Sequence, residues 1–319
     1  MSYYISIDGD RDPYSKNIGY IKGGEYDGEI LSIINSQNLS DKKDEITKEE
    51  IPVDKMSLII SNFLKKEGDD KIFNGLEKIS ENIKNRIPPD NENLCSLYED
   101  CIKCLDKHEG KSINIIDGEI IPIFDTNKER TVFYISGMSG SGKSTLTGQL
   151  ISIYKKLYPK NKIIVFSNKS SDPALDKHNP LRMKLNEELL NDPISLNELK
   201  NSLVVFDDID CIPNKKIDAE IARLRDLILQ QGRSYKISFV YISHLTNDYK
   251  RTKLILLECD CSIIFPVFTT QYNLKYLLYT YYGLGSEQIR KIKNLPSRWV
   301  GIWKNPLTVL YSKGCYIPE

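Results

Sequence analysis

TVFYISGMSGSGKSTLTGQL, residues 131–150, sets an apolar run against a glycine-rich turn and then a helical period. Thr131–Ser136 is β-branched and aromatic without polar alternation, which suits a parallel strand buried on both faces. It leads into GMSGSGKST, which satisfies G-x-x-x-x-G-K-[ST], and LTGQLISIYKKLY follows with apolar residues at three- and four-residue spacing. In such a strand–loop–helix unit, Gly137, Gly140 and Gly142 let successive backbone N–H groups curl around a phosphate. The helix N-terminus adds its positive dipole end. Lys143 is placed to reach the β- and γ-phosphates, and the Ser144 hydroxyl to ligate Mg²⁺. Gly137, Met138, Ser139, Gly140, Ser141, Gly142, Lys143, Ser144 and Thr145 are therefore the candidate nucleotide loop, with ATP and Mg²⁺ as its expected cofactors. A glycine-rich surface turn would need neither the strand before it nor the helix after it.

NSLVVFDDID, residues 201–210, is a second buried-strand pattern, and it ends in adjacent carboxylates. This is the Walker B arrangement, with Asp207 expected to hold Mg²⁺ through its water shell. Asp208 is then placed to orient, or take a proton from, the water that attacks the γ-phosphate. Asp210 is expected to be solvated or to cap the next element of the chain. NKIIVFSNKSSD supplies another strand ending near Ser167. Beyond Asp210 come a helix over about 216–231, a strand over 237–243, a short helix around 251–257 and the apolar CSIIF at 261–265. Five parallel strands separated by helices make an α/β fold. The expected core is a P-loop NTPase of the additional-strand type, a mainly parallel sheet flanked by helices. The strand over 237–243 should lie between the strands that carry the loop and the paired acids. Asn168-Lys169-Ser170-Ser171 lacks the aspartate of a guanine reader, which argues against a GTPase.

LILQQGRSYKISFVYISH, residues 227–244, acquires a role from that order. If its strand is central, Ser243 and His244 lie beside the γ-phosphate, where a polar side chain senses phosphate or orients water. Arg233 lies at the other end and cannot easily reach its own chain's nucleotide. A guanidinium there can serve a neighbouring subunit's nucleotide in trans. The plainer reading is a surface ion pair with an acid such as Asp226.

The front of the chain reads differently. Residues 1–125 hold 16 Lys+Arg against 26 Asp+Glu, leaving 28 against 18 in residues 126–319. A basic surface concentrates polyanions such as nucleic acid. Two domains are expected: an acidic α+β N-terminal domain over 1–125, and the P-loop ATPase motor domain over 126–319. In the first, YYISIDGD and IGYIKGGEYDGEIL give short strands broken by glycines, and 40–52 is a charged linker. Helical spacing runs over 55–66, 70–86 and 94–107, and INIIDGEIIPIFD resembles a hairpin turning at Asp117-Gly118. Cys95, Cys101, Cys104 and His108 match zinc-ligand types, but LYEDCIKCLDKH reads as a helix, where cysteines are commonly small core residues. DGDRD at 8–12 has Pro13 where a calcium loop needs glycine. In the tail, the tyrosines of QYNLKYLLYTYY suit core packing better than base stacking, and RWVGIWKNPLTVLY reads as a closing hairpin with buried tryptophans.

ERTVFYISGMSGSGKST, LVVFDD and LILQQGRSYKISFVYISH together resemble the FtsK–HerA superfamily of DNA-pumping ATPases. Within it, the genome-packaging ATPases of poxviruses and giant viruses are the most similar. The double aspartate, the GR-x-x-x-I-S segment and RTKLILLECDCSIIFP carry the likeness, over roughly residues 130–270. The resemblance implies a homo-oligomeric ring, pentameric or hexameric, that threads double-stranded DNA into a capsid. It also implies that Lys143, Ser144, Asp207 and Asp208 are the ATPase residues and Arg233 the trans arginine. His244 stands where relatives usually have glutamine, although imidazole still donates a hydrogen bond.

The expected function is thus an ATP hydrolase that translocates DNA. A P-loop kinase acting on a small molecule or nucleoside, and a nucleotide-controlled scaffold, are the other classes compatible with the loop. The acidic N-terminal domain suits a capsid or portal-vertex protein as partner. The opening residues do not read as a signal peptide and no apolar run reaches the ~20 residues of a membrane span. Seven irregularly spaced cysteines fit a reducing compartment, so the expected setting is intracellular and cytoplasmic, at virion assembly sites if the chain is viral.

Overall fold

The computed structural model describes residues 3–7, 14–35, 109–246 and 249–318. The linker and three helices expected within 40–107, the Cys95/Cys101/Cys104/His108 group and the 8–12 segment lie outside the described residues. No helix among the described residues is long and apolar enough to cross a membrane.

Six strands of the large sheet run parallel. They are β7 (Val132–Ser136), β8 (Lys162–Ser167), β9 (Leu181–Met183), β10 (Ser202–Asp207), β11 (Ser238–Ser243) and β12 (Cys261–Ile264). Their order is β12-β7-β11-β10-β8-β9, so β11 lies between the loop-bearing strand and the strand of paired acids, as the sequence led us to expect. From β12 the sheet continues antiparallel through β13 (Val300–Trp303), β14 (Thr308–Tyr311) and β15 (Gly314–Tyr316) to β5 (Ser112–Asn114). The closing hairpin is therefore the continuation of the large sheet, and Trp299 and Trp303 are buried within it.

Each central strand is apolar on both sides because both faces are covered. Tyr134, Phe166, Phe206, Phe239 and Tyr241 face one core; Phe133, Ile135, Val165, Val205, Val240 and Ile242 face the other. The first is closed by α4 (Lys215–Gln231), α5 (Tyr249–Glu258), α6 (Gln271–Tyr282) and α7 (Ser286–Lys293). Ile217, Ile221, Leu224 and Ile228 repeat at three- and four-residue spacing along α4, which places them on one buried stripe. The second core is closed by α1 (Lys143–Leu157), through Leu146, Leu150 and Tyr154. The remaining described helices, α2 (Pro173–Asp176) and α3 (Glu188–Asn191), are single turns in the connection from β8 to β10.

A smaller antiparallel sheet completes the second core. Its order is β4-β1-β3-β2-β6, formed by Glu109–Gly110, Tyr3–Ser6, Ile30–Asn35, Lys16–Lys22 and Glu119–Pro122. Ile5, Ile18, Ile21, Leu31, Ile33 and Ile120 lie in the same apolar cluster as Leu150 of α1 and Trp303 of β13. The front of the chain thus shares its core with the helix that follows the nucleotide loop. One expectation fails here. The 113–125 segment is not a hairpin, because its two runs enter different sheets: Ile113 pairs with Cys315, whereas Ile120 and Ile121 pair with Ile21 and Tyr20. Asp117-Gly118 is a bend, with φ 87° at Gly118, and it packs on Gly23 instead of closing a two-strand ladder.

Polar groups from the loops tie these layers together. The Val132 N–H donates to the Asp260 carboxylate at 2.8 Å, and Lys128 pairs with the same carboxylate at 3.0 Å. Arg130 caps the C-terminal end of α4 by donating to the Ile228 and Leu229 carbonyls. A Cβ at Gly232 would collide with the Ile228 carbonyl oxygen and with Arg130, so that part of the Gly232-Arg233 pair is explained by packing.

Phe206 stands at the centre of an edge-to-face aromatic array, 4.9 Å from Phe166 and 5.1 Å from Phe239 between ring centroids, and is fully buried. Phe206→Ala should lower the unfolding free energy by about 3–5 kcal/mol, read from urea denaturation. A loss below about 1 kcal/mol would mean that this face is not close-packed.

Candidate active site

The nucleotide loop runs from the end of β7 to the start of α1. Gly140 and Gly142 have φ of 75° and 109°, values that side-chain-bearing residues seldom adopt, and Gly142 is the N-cap of α1. The Gly137 N–H donates to the Ser243 carbonyl at 3.3 Å, which extends the β7–β11 ladder into the first residue of the loop. Ser141 is fully buried, and its Oγ has no hydrogen-bond partner within the protein. Lys143 Nζ donates to the Gly137 and Met138 carbonyls at 2.6 and 2.9 Å. Burial lowers the pKa of this lysine, and the Asp207 carboxylate opposes that shift.

A cleft of about 460 Å³ opens over the loop. Lys143, Ser144, Thr145, Asp207, His244 and Arg298 all line it. Asp207 ends β10 and is 3% exposed; Ser167 Oγ lies 3.5 Å from its carboxylate. Burial raises the Asp207 pKa, and nearby Lys169 works against that rise. A buried carboxylate beside a hydroxyl of the loop helix is a hard-oxygen donor set that suits Mg²⁺. With the unbonded Ser141 hydroxyl and the two left-handed glycines, these residues fit a Mg²⁺-bound polyphosphate, and Ser144 and Asp207 would hold the cation.

Asp208 leaves the strand with φ of 54°, in the left-handed region. His244 Nε2 is 3.2 Å from its Oδ1, and Lys169 Nζ is 3.5 Å from its Oδ2. The other imidazole nitrogen, Nδ1, is 3.4 Å from Lys143 Nζ. His244 therefore bridges the loop lysine and the second acid, a consequence of β11 running between β7 and β10.

Ser243 and Asp210 differ from expectation. Ser243 is buried and its hydroxyl donates to Asp210 at 2.9 Å, away from the cleft, so only His244 of that pair reaches the site. Asp210 is half-buried and bonded within the fold, not free in solvent. It also accepts the His244 N–H at 2.7 Å, and Arg251 donates to its backbone carbonyl at 2.7 Å, which fixes the turn that presents the imidazole. Sequence reasoning missed this anchor, along with Lys169 and Arg298. Lys169 was visible only inside NKSS, and Arg298 only as the first residue of the closing hairpin.

Arg233 is outside the cleft, at the far end of β11, a strand whose six residues span roughly 20 Å. Its side chain is 72% exposed and pairs with Glu129 at 3.1 Å. The plainer reading of a surface ion pair therefore holds, with Glu129 in place of Asp226, which pairs with its neighbour Arg225 at 2.8 Å. The tyrosines of α6 are also split: Tyr282 is buried, whereas Tyr272 and Tyr279 are exposed.

With this geometry in place, the chain can be set beside known proteins. Over 210 residues it is 36% identical to the protein named "Uncharacterized protein V3" of the Sputnik virophage, spanning 65% of this chain and 84% of that protein. The chain belongs to the V3 family. No family model matches it. Among solved structures, it is similar to B204, the DNA-packaging ATPase of Sulfolobus Turreted Icosahedral Virus. That match has TM-score 0.44 and 16% identity, over 61% of this chain and 100% of the other. It is also similar to the pCW3 conjugation coupling protein TcpA, with TM-score 0.43 and 14% identity, over 65% and 66% of the two chains.

The raised pKa of Asp207 sets the sign of a stability test. A carboxyl whose folded pKa exceeds its unfolded value favours the fold while protonated, and that advantage is lost as pH rises through the folded pKa. Without Mg²⁺ or nucleotide, Asp207→Asn should therefore unfold at a higher temperature than the wild type at neutral pH, with the gap closing toward acid. A variant less stable than wild type at neutral pH would contradict a carboxylate whose burial outweighs its partners.

Proposed function

We propose that this V3-family protein is an ATP-driven DNA translocase, acting as a homo-oligomeric ring to package viral double-stranded DNA into a capsid. The observation that carries the ATPase reading is the bridge from Lys143 through His244 to Asp208, at 3.4 and 3.2 Å. A phosphate-binding lysine and a carboxylate positioned for a water are thereby linked by a polar group that can sense what lies between them. The sequence resemblance to FtsK–HerA ATPases supports DNA as the polymer, as does the basic balance of residues 126–319.

In this reading the loop amides and Lys143 hold the β- and γ-phosphates. When bound, Mg²⁺ neutralises charge on those phosphates. Asp208 orients the attacking water and accepts its proton, and His244 keeps the carboxylate turned toward it. Arg233 lies too far from its own cleft and is exposed, so it serves the neighbouring subunit's site, where a guanidinium stabilises charge in the transition state. The acidic N-terminal region docks to a capsid or portal-vertex protein, at assembly sites in host cytoplasm.

Double-stranded DNA should stimulate hydrolysis, measured as released phosphate with no phosphorylated acceptor. Asp208→Asn should lower kcat by about 10²-fold or more while ATP still binds. Unstimulated turnover, or a phosphorylated small molecule, would contradict the translocase.

Arg233→Ala and Lys143→Ala, each inactive alone, should regain part of the activity when mixed. The wild-type Arg233 of the second protein then completes the intact site of the first. An active Arg233→Ala protein, or no recovery on mixing, would remove Arg233 from the neighbour's site.

A further inference from the structure

Arg298 lies just before β13, 157 residues beyond Ser141, yet its guanidinium closes on the nucleotide loop. Its Nε donates to the Ser141 carbonyl at 2.7 Å and its Nη2 to the Gly140 carbonyl at 2.9 Å. These are consecutive peptides of the phosphate-binding turn. A trans peptide plane directs its N–H opposite to its C=O. Holding the Gly140 and Ser141 carbonyls outward therefore turns the Ser141 and Gly142 amides inward. The Ser141 N–H does point into the turn, where it donates to the Met138 carbonyl at 3.2 Å, the bond that a phosphate oxygen would replace.

The arginine is itself held. Ser297 Oγ donates to the Trp299 carbonyl at 2.6 Å and accepts the Ser312 N–H at 3.1 Å, which locks the bend on which Arg298 sits. Trp299 is buried, and the Arg298 guanidinium lies 5.2 Å from the Phe268 ring centroid, a cation–π contact. Two charge-assisted bonds from a pre-set arginine give a rigid clamp, which one flexible ammonium cannot reproduce.

We propose that Arg298 is a positioning residue of the phosphate cradle: from the closing hairpin it orients the two loop amides that bind the ATP polyphosphate. This rests on the ATPase reading above and assigns to the tail a part in nucleotide binding. The clamp joins the hairpin to the loop, so the continuation of the sheet beyond β12 belongs to the binding machinery.

The test measures binding of ATP and of inorganic tripolyphosphate, each with Mg²⁺, to the full-length wild type, Arg298→Ala and Arg298→Lys. Tripolyphosphate has no base or sugar, so it reports the cradle alone. Loss of two charge-assisted hydrogen bonds should weaken both ligands by on the order of tenfold or more in Arg298→Ala, with partial recovery in Arg298→Lys. KM for ATP should rise more than kcat falls. Unchanged binding overturns the proposal, and so does weaker ATP binding with tripolyphosphate unaffected, which would place Arg298 on the nucleoside. If Arg298→Ala does not fold, Arg298→Lys against wild type decides by the same comparison, since equal tripolyphosphate affinity contradicts the clamp. A wild type that binds neither ligand would overturn the ATPase reading itself, whereas a wild type that binds both, matched by its variants, overturns only the role of Arg298.

Discussion

The parallel ladder between β7 and β11 is the constraint on which the site depends. Phe239 through Ser243 pair with Val132 through Ser136, and the Gly137 N–H adds one more bond to the Ser243 carbonyl. That last bond joins the first residue of the nucleotide loop to the residue before His244. On its other side β11 pairs with β10, so the imidazole emerges between Lys143 and Asp208. The consequence is geometric. Asp207 and His244 face the cleft from the C-terminal ends of β10 and β11, where parallel strands leave their polar ends free. Arg233 lies in the turn before the opposite end of the same strand, well away from His244.

Around this ladder, burial and charge are set against each other. Asp207 lies in a nearly dry position with no hydrogen bond shorter than 3.5 Å among the described contacts, and burial raises its pKa. Lys143 is pushed the other way by the same burial, and its ammonium rests on loop carbonyls. Both groups cost the isolated fold stability, and in the proposed function both gain a counter-charge from a cation and a polyphosphate. Buried charges whose partners arrive with the ligand are common where binding drives chemistry. Asp210 and Arg298 act differently, since each holds a backbone turn and so fixes where a neighbouring group points.

Much of this was legible in the sequence, because nucleotide chemistry demands particular residues at fixed spacing. Thr131–Thr145 announced strand, loop and helix, and Val204-Val205-Phe206-Asp207-Asp208 announced a buried strand with acids at its end. The place of β11 followed from the order of the elements. Long-range contacts were not legible. Arg298 reaches the loop because β12 alone separates β13 from β7 in the sheet, although the two are far apart along the chain, and no local pattern in RWVGIWK marks it. Asp210 looked like a third exposed acid until the Ser243 hydroxyl was seen to turn toward it. The 113–125 run misled for a related reason. Its local turn chemistry is that of a hairpin, but Ile113 and Ile120 each find a partner strand in a different sheet.

In the proposed mechanism one cleft, at the C-terminal ends of β7, β10 and β11, binds ATP with its γ-phosphate between Lys143, Asp208 and His244. The most direct measurement is an experimental structure of the full-length protein with Mg²⁺ and a non-hydrolysable ATP analogue. The γ-phosphate is expected within hydrogen-bond distance of both Lys143 Nζ and the His244 imidazole, with a water between it and Asp208. A triphosphate bound elsewhere, or one in this cleft with His244 turned away from it, would contradict the mechanism.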